Sequence, residues 1–147
     1  MGDSIVVGTD GSDRAKLAVG EAVRLAKALG VEVHVVSAFT RLRGVRIAGA
    51  SEGAAKVWAP LPDAEVEATL SQAAAAVRMQ DVKVTTHAIE RDPVDALLQV
   101  ASDVDAGMIV VGSKGMHGAG RLTLGNVPNQ VSHKARCNVL IVDTESR

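Results

Sequence analysis

Between Gly107 and Pro128 the chain reads GMIVVGSKGMHGAGRLTLGNVP. Glycines stand at 112, 115, 118, 120 and 125, and Lys114, His117 and Arg121 lie among them. Glycine lets backbone N–H groups approach an anion with no Cβ in the way, and it reaches backbone angles that other residues avoid. The three basic side chains have the sign a polyphosphate requires. The loop follows Met108-Ile109-Val110-Val111, a short β-branched run of the kind found in buried strands. Beyond Asn126-Val127-Pro128, the stretch Asn129 to Ala135 fits a helix. A helix N-terminus adds unpaired N–H donors and a partial positive charge, so this succession suits phosphate binding. Glycine-rich loops also serve purely as turns, and the loop alone does not decide. It is not a Walker A loop, which ends in Gly-Lys-Ser/Thr, and its spacing differs from the G-x-G-x-x-G dinucleotide fingerprint.

A second candidate is Asp10, which follows the apolar run Ser4 to Gly8. A carboxylate there can accept hydrogen bonds from ribose hydroxyls or an exocyclic amine; the position equally suits an Asx turn or a helix cap. His34, His87, His117 and His133 fall on separate elements, and no H-x-x-H or C-x-x-C pair suggests a metal. His87 is expected to be an exposed strand residue. Ser113 and His117 do not sit in a nucleophile elbow, and Cys137 reads as a small packed thiol.

The elements that must position these groups alternate. Ser4–Gly8 is the first strand, and a helix over Ala15–Leu29 follows, with Ser12 or Asp13 as cap and Gly30 as stop. Val31–Phe39 is the second strand. Thr40 to Pro62, with Arg41, Arg43 and Arg46, reads as a long loop whose arginines reach phosphates or solvate it. A helix from Asp63 or Ala64 to about Met79 precedes a half-exposed strand over Val82–Ile89. Asp92 caps a helix with Pro93 at its first position, running from Val94 to about Ser102. The strand at Met108, a helix over Val127–Ala135 and a final strand Val139–Val142 complete the chain. This predicts an α/β three-layer sandwich, one domain over residues 1–147, with a five-stranded parallel sheet of order 3-2-1-4-5 and helices on both faces. In that order the crevice lies between the first and fourth strands, where Asp10 and Gly112 converge.

Composition narrows the function. The chain has 147 residues and a net charge of −1, so no basic field points to nucleic acid. Phe39 and Trp58 are its aromatic residues, which argues against base-stacking platforms. No apolar run approaches a membrane span, the start MGDSIVVGTDGS has no cationic segment, and a single cysteine suits a reducing cytoplasm.

The whole chain resembles the universal stress protein (UspA-like) family. The resemblance rests on Val-Gly-Thr-Asp-Gly-Ser at 7–12, Asp92-Pro93, Ile109 to Gly115, and Gly125-Asn126-Val127. Gly112, Gly115 and Gly125 keep the G-x2-G-x9-G spacing of the nucleotide-binding type. It implies a Rossmann-like, adenine nucleotide alpha hydrolase-like fold that binds ATP, with Mg²⁺, or cyclic AMP. Thr9 and Asp10 would contact adenosine, Ala38 would meet adenine through its backbone, and Val111 and Gly112 would line the ribose side. Gly115, Gly125, Asn126 and Val127 would hold phosphates through N–H groups. Position 126 is Asn where the ATP-binding pattern has a hydroxyl, which leaves the phosphate and Mg²⁺ contacts open. Arg91 stands where glycine is common.

The expected function is a nucleotide sensor or sequestering module of the stress response, with at most slow ATP hydrolysis. The alternative is an interaction protein with a vestigial site. In either case the resemblance implies a homodimer paired through Val139–Val142.

Overall fold

A computed structural model describes residues 3–40, 61–113 and 125–144. The order is β1 (Ser4–Gly8), α1 (Asp13–Leu29), β2 (Glu32–Phe39), α2 (Leu61–Arg78), β3 (Val84–Glu90), α3 (Pro93–Asp103), β4 (Met108–Gly112), α4 (Asn126–Lys134) and β5 (Asn138–Val142). The strands form one parallel sheet of order β3-β2-β1-β4-β5, as the alternation predicts. Most of the expected loop over Thr40–Pro62 lies outside the described residues. Its last two residues are a correction: Leu61 and Pro62 already belong to α2. Proline is tolerated in a first turn, where no intrahelical acceptor awaits its missing N–H. The Leu61 side chain and those of its two neighbours are not described.

Strand alternation divides the core. Ile5, Val7, Val33, Val35 and Val110 point to one face and pack on Ala18, Val19, Ala22 and Val23 of α1 and Leu70 and Val77 of α2. Val6, Val36, Ile109 and Val111 point to the other face and pack on Val94, Leu97 and Val100 of α3 and Val131 of α4. Alanine on the helices lets them approach a sheet of valines closely, and among the described residues the core contains no aromatic side chain.

The helix ends follow local chemistry. Ser12 accepts a hydrogen bond from the Ala15 N–H (3.1 Å), and Gly30 ends α1 in the left-handed region at φ 71°. Asp92 accepts from the Asp95 N–H (3.1 Å), with Pro93 at the first position of α3. The Arg91 guanidinium donates to Gln99 Oε1 (2.8 Å) across the turn before α3.

His87 departs from the expected exposed position. It is half-buried, and its Nε2 lies 2.9 Å from Nδ1 of His34, which is 6% exposed. The sequence separates the two by a helix and a loop. Parallel pairing of β2 with β3 sets Thr85 opposite His34 and His87 opposite Val36, so both imidazoles share the α3 face. His34 Nε2 lies 3.1 Å from Glu32 Oε1, and Lys83 Nζ stands 3.9 Å from the other carboxylate oxygen. With Glu32 ionised, His34 donates from Nε2, its Nδ1 accepts, and His87 donates from Nε2. One added proton is compatible with that chain. Two would leave an N–H facing an N–H.

Burial first, and the neighbouring His34 second, hold His87 below the ordinary imidazole range, with Asp103 opposing. A group whose folded pKa is depressed contributes stability that is complete above its unfolded value of about 6.5 and is lost as pH falls below it. We expect the urea midpoint to fall between pH 7.5 and 5.5 by the equivalent of less than about 1 kcal/mol, because His87 is partly solvated. In His87→Gln, which keeps a donor toward His34 but does not titrate, the slope should flatten. An unchanged slope would show that His87 does not carry it.

Candidate functional site

At the carboxyl ends of β1 and β4 the chain departs toward opposite faces of the sheet, α1 on one and α4 on the other. Between them lies a crevice of about 170 Å³. Thr9 and Asp10 form one wall and Val111 and Gly112 the other, with Ala38 from β2 and Val127 from α4 closing it. Six residues singled out from the sequence therefore meet in one place. Gly125 and Asn126 stand beside them as the cap and first residue of α4. Lys114, Gly115, His117 and Arg121 lie outside the described residues.

The Asp10 turn satisfies both readings of that residue. Asp10 Oδ1 accepts from the Ser12 N–H (2.9 Å), which is an Asx turn, and the exposed carboxylate still lines the crevice. Thr9 is 8% exposed; its N–H donates to the Val36 carbonyl (2.9 Å) and its Oγ1 accepts from the Gly11 N–H (3.1 Å). Gly11 has φ 83°, a backbone position that favours glycine. A Cβ built there would also stand 3.1 Å from Thr69 Oγ1 of α2.

Ser113 anchors the other wall, and its hydroxyl is engaged with Thr144. Its N–H donates to the Val142 carbonyl (2.7 Å), and its carbonyl accepts from the Gly125 N–H (2.9 Å). Its Oγ accepts from the N–H of Thr144 (3.2 Å) and lies 3.3 Å from that hydroxyl. One residue thus ties the end of β4 to the end of β5 and to the start of α4.

The start of α4 has few donors, and they are specific. Gly125 caps it without a side-chain hydrogen bond. The Gly125 N–H already points to Ser113, Pro128 has none, and the Asn129 N–H returns to the Gly125 carbonyl (3.1 Å). Asn126 and Val127 keep backbone N–H groups with no protein acceptor among the described residues. The Asn126 amide oxygen accepts from Gln130 Nε2 (2.8 Å).

Sequence reasoning assigned no ligand role to Ser12, Arg14, Pro93, Leu97 or Pro128, which also line the crevice. Arg14 was readable in principle, as a cation in the first turn of the helix leaving the Asp10 loop. Leu97 was not, because its place depends on α3 packing against Gly8, where a Cβ would stand 3.2 Å from its Cδ2. Among the described residues no group of three His, Cys, Asp or Glu side chains could hold a metal ion.

The family model described as the universal stress protein family matches residues 1–143. A universal stress protein of Mycobacterium tuberculosis is 35% identical, the match covering 96% of this chain and 96% of that protein. One of Methanocaldococcus jannaschii is 31% identical, covering 94% and 80%. Among solved structures, a universal stress protein in complex with cAMP superposes with a TM-score of 0.75 at 31% identity, covering 98% of each chain. The Archaeoglobus fulgidus universal stress protein in complex with dAMP gives 0.67 at 28% identity, covering 94% of this chain and 95% of that one.

Replacing Ser113 with alanine leaves the part-buried Thr144 N–H without its partner. Ser113→Ala should lower stability by about 1–2 kcal/mol in chemical denaturation. No change in midpoint would mean that the tie is not holding the two ends.

Proposed function

The chain belongs to the universal stress protein family, and from that premise we propose that it is an adenine-nucleotide-binding sensor whose site takes a nucleotide with one phosphate. The observation that carries this reading is the pair of N–H groups, Asn126 and Val127, that find no acceptor among the described residues, beside a crevice walled by Asp10 and Gly112. The apolar wall of Ala38, Val111, Leu97 and Val127 suits a base and the near edge of its ribose. Asp10 then accepts from a ribose hydroxyl or from an exocyclic amine, and the first turn of α4 donates to the phosphate. Arg14 lines the same crevice.

Among the described residues the first turn of α4 offers two donors, which suit one phosphate group better than three. Gly125 donates to Ser113 rather than to a ligand, and Pro128 has nothing to donate. Asn126 also fits Mg²⁺ poorly, because its amide oxygen is held by Gln130 and it offers no hydroxyl. Both features favour cyclic AMP or AMP over ATP with Mg²⁺. Two solved relatives were captured with cAMP and with dAMP, each carrying a single phosphate. Lys114, Gly115, His117 and Arg121 remain candidate phosphate contacts on sequence grounds. The site reads as binding machinery; phosphoryl transfer would need an organised metal and a group that orients water.

Calorimetric titration tests this directly. Cyclic AMP or AMP should bind, and ATP should bind more weakly with no gain from Mg²⁺. Asp10→Asn, which keeps an acceptor for the Asx turn, should weaken binding about tenfold. Tighter ATP binding with Mg²⁺ would move the reading to triphosphates. Absence of heat and of any thermal stabilisation with all three would favour a protein whose site is vestigial.

The second part of the proposal is a homodimer through β5. This strand is at the edge of the sheet, and Val139, Leu140, Ile141 and Val142 are only half-buried there. Because Ser113 donates to the Val142 carbonyl, Val142 and Leu140 turn their amides toward β4, and Ile141 turns outward. Ile141→Pro removes an outward N–H and leaves the internal ladder intact. We expect a dimer in sedimentation velocity to become a monomer with little change in melting temperature. A variant that stays dimeric would rule out pairing along this strand.

A further inference from the structure

On the α1/α2 face of the sheet a groove of about 660 Å³ lies between the two helices, meeting the crevice at Thr9. Its floor is Val19 and Val23 of α1 with Ala73 of α2, and its depth comes from small residues. A Cβ built at Gly20 would meet nothing within 4 Å. Ala28 and Ala76 are equally short. Lys16, Arg24 and Lys27 stand along the α1 side, Thr69, Gln72 and Gln80 along the α2 side, and among the described residues no carboxylate lines the groove. Next in sequence to the lining residues Ala28 and Gln80 are Leu29 (62% exposed) and Met79 (81% exposed), the exposed large apolar side chains of the described residues.

We propose that this groove is a docking site for an acidic amphipathic helix of a partner protein. An apolar floor flanked by small residues lets a helix backbone approach closely, as in helix-in-groove recognition. From Lys16 to Ala28 the groove runs about 18 Å along α1, at about 1.5 Å per residue, which accommodates about three turns of a partner helix. The three cations are spread along that length. A lipid or other amphiphile with one anionic head would meet one of them and leave the others unmatched, whereas carboxylates repeating on one helix flank meet all three. A second copy of this chain would set the same cation row against itself. Lys16 has Asp13 3.8 Å away, and Arg24 is forked onto Glu21. These are surface pairs within one helix, weak and readily shared with an incoming carboxylate.

The probe is an amidated peptide of about 18 residues, long enough to be helical when bound. It carries leucines at i, i+3, i+4 and i+7 and glutamates on both flanks, with a fluorescein label, and is titrated with the full chain by anisotropy. We expect saturable binding that weakens as salt rises. Lys16→Glu, Arg24→Glu and Lys27→Glu combined should weaken it by at least about tenfold. Gly20→Leu, which fills the open space on a solvent-facing helix position, should do the same without lowering the melting temperature. Four results would each overturn the proposal. They are no binding to the chain, equal binding by both variants, equal binding by a peptide with lysine for glutamate, and self-association of the chain that the groove substitutions abolish. No nucleotide enters the experiment, so its outcome is independent of the crevice.

Discussion

The order of the strands is the constraint on which the rest depends. A parallel strand can be reached only by a crossover, and crossovers on one face of a sheet turn in one hand. Starting from β1, the chain adds β2 and β3 in one direction with α1 and α2 on one face. To add β4 on the other side of β1 it must cross on the opposite face, by α3. The segments leaving β1 and β4 therefore part company, and no helix can bridge their carboxyl ends. The opening between Asp10 and Gly112 is a consequence of topology. The register places it: Val7 pairs with Val110, so Gly8 ends beside Val111, and the Thr9-Asp10 turn rises directly over the second wall.

Within that opening the helix starts are not equivalent. α1 and α3 each satisfy one first-turn N–H with a capping side chain, that of Ala15 by Ser12 and that of Asp95 by Asp92. α4 begins at a glycine with no side chain to offer, and Ser113 holds it in place through the backbone. A side-chain cap contributes about 1 kcal/mol to a helix. Among the described residues, Asn126 and Val127 find no acceptor for their N–H groups, next to an apolar wall. Local rules are relaxed here at the mouth of a cleft, and natural proteins relax them chiefly at functional sites.

Much of this was legible because it is local. The run SIVVG, the stop at Gly30, the cap and proline at Asp92-Pro93, and the apolar strand at Met108 each carry their own signal within a few residues. Strict alternation then limits the sheet to few orders, and the crevice follows with Thr9, Asp10, Val111 and Gly112 in it. What escaped depends on distant pairing. Nothing near His87 announces His34; their contact exists because β2 and β3 take one register out of several, and both side chains fall on the α3 face. Leu97 reaches the crevice through the packing angle of α3, and the α1/α2 groove depends on how far two helices stand apart. The start of α2 escaped for a different reason: Pro62 reads as a breaker until it is known to fall in a first turn.

The Thr9–Gly11 turn separates two surfaces that the sequence treats as unrelated. Thr9 lines both the crevice and the α1/α2 groove; Asp10 faces only the crevice, and Gly11 only the groove. The turn is not loose. Thr9 is bonded to Val36 in the sheet and to Gly11, and Asp10 is bonded to Ser12 at the cap of α1. Gly11 passes so near Thr69 that even one methyl group would press on α2, and its positive φ admits few other residues. A packed interior changes by discrete rearrangement rather than by gradual give. A shift of Asp10 must therefore either break the Asx turn or carry the turn against α2. Thr9 thus belongs to both surfaces, and the turn that holds Asp10 at the crevice also holds Gly11 against α2 at the groove.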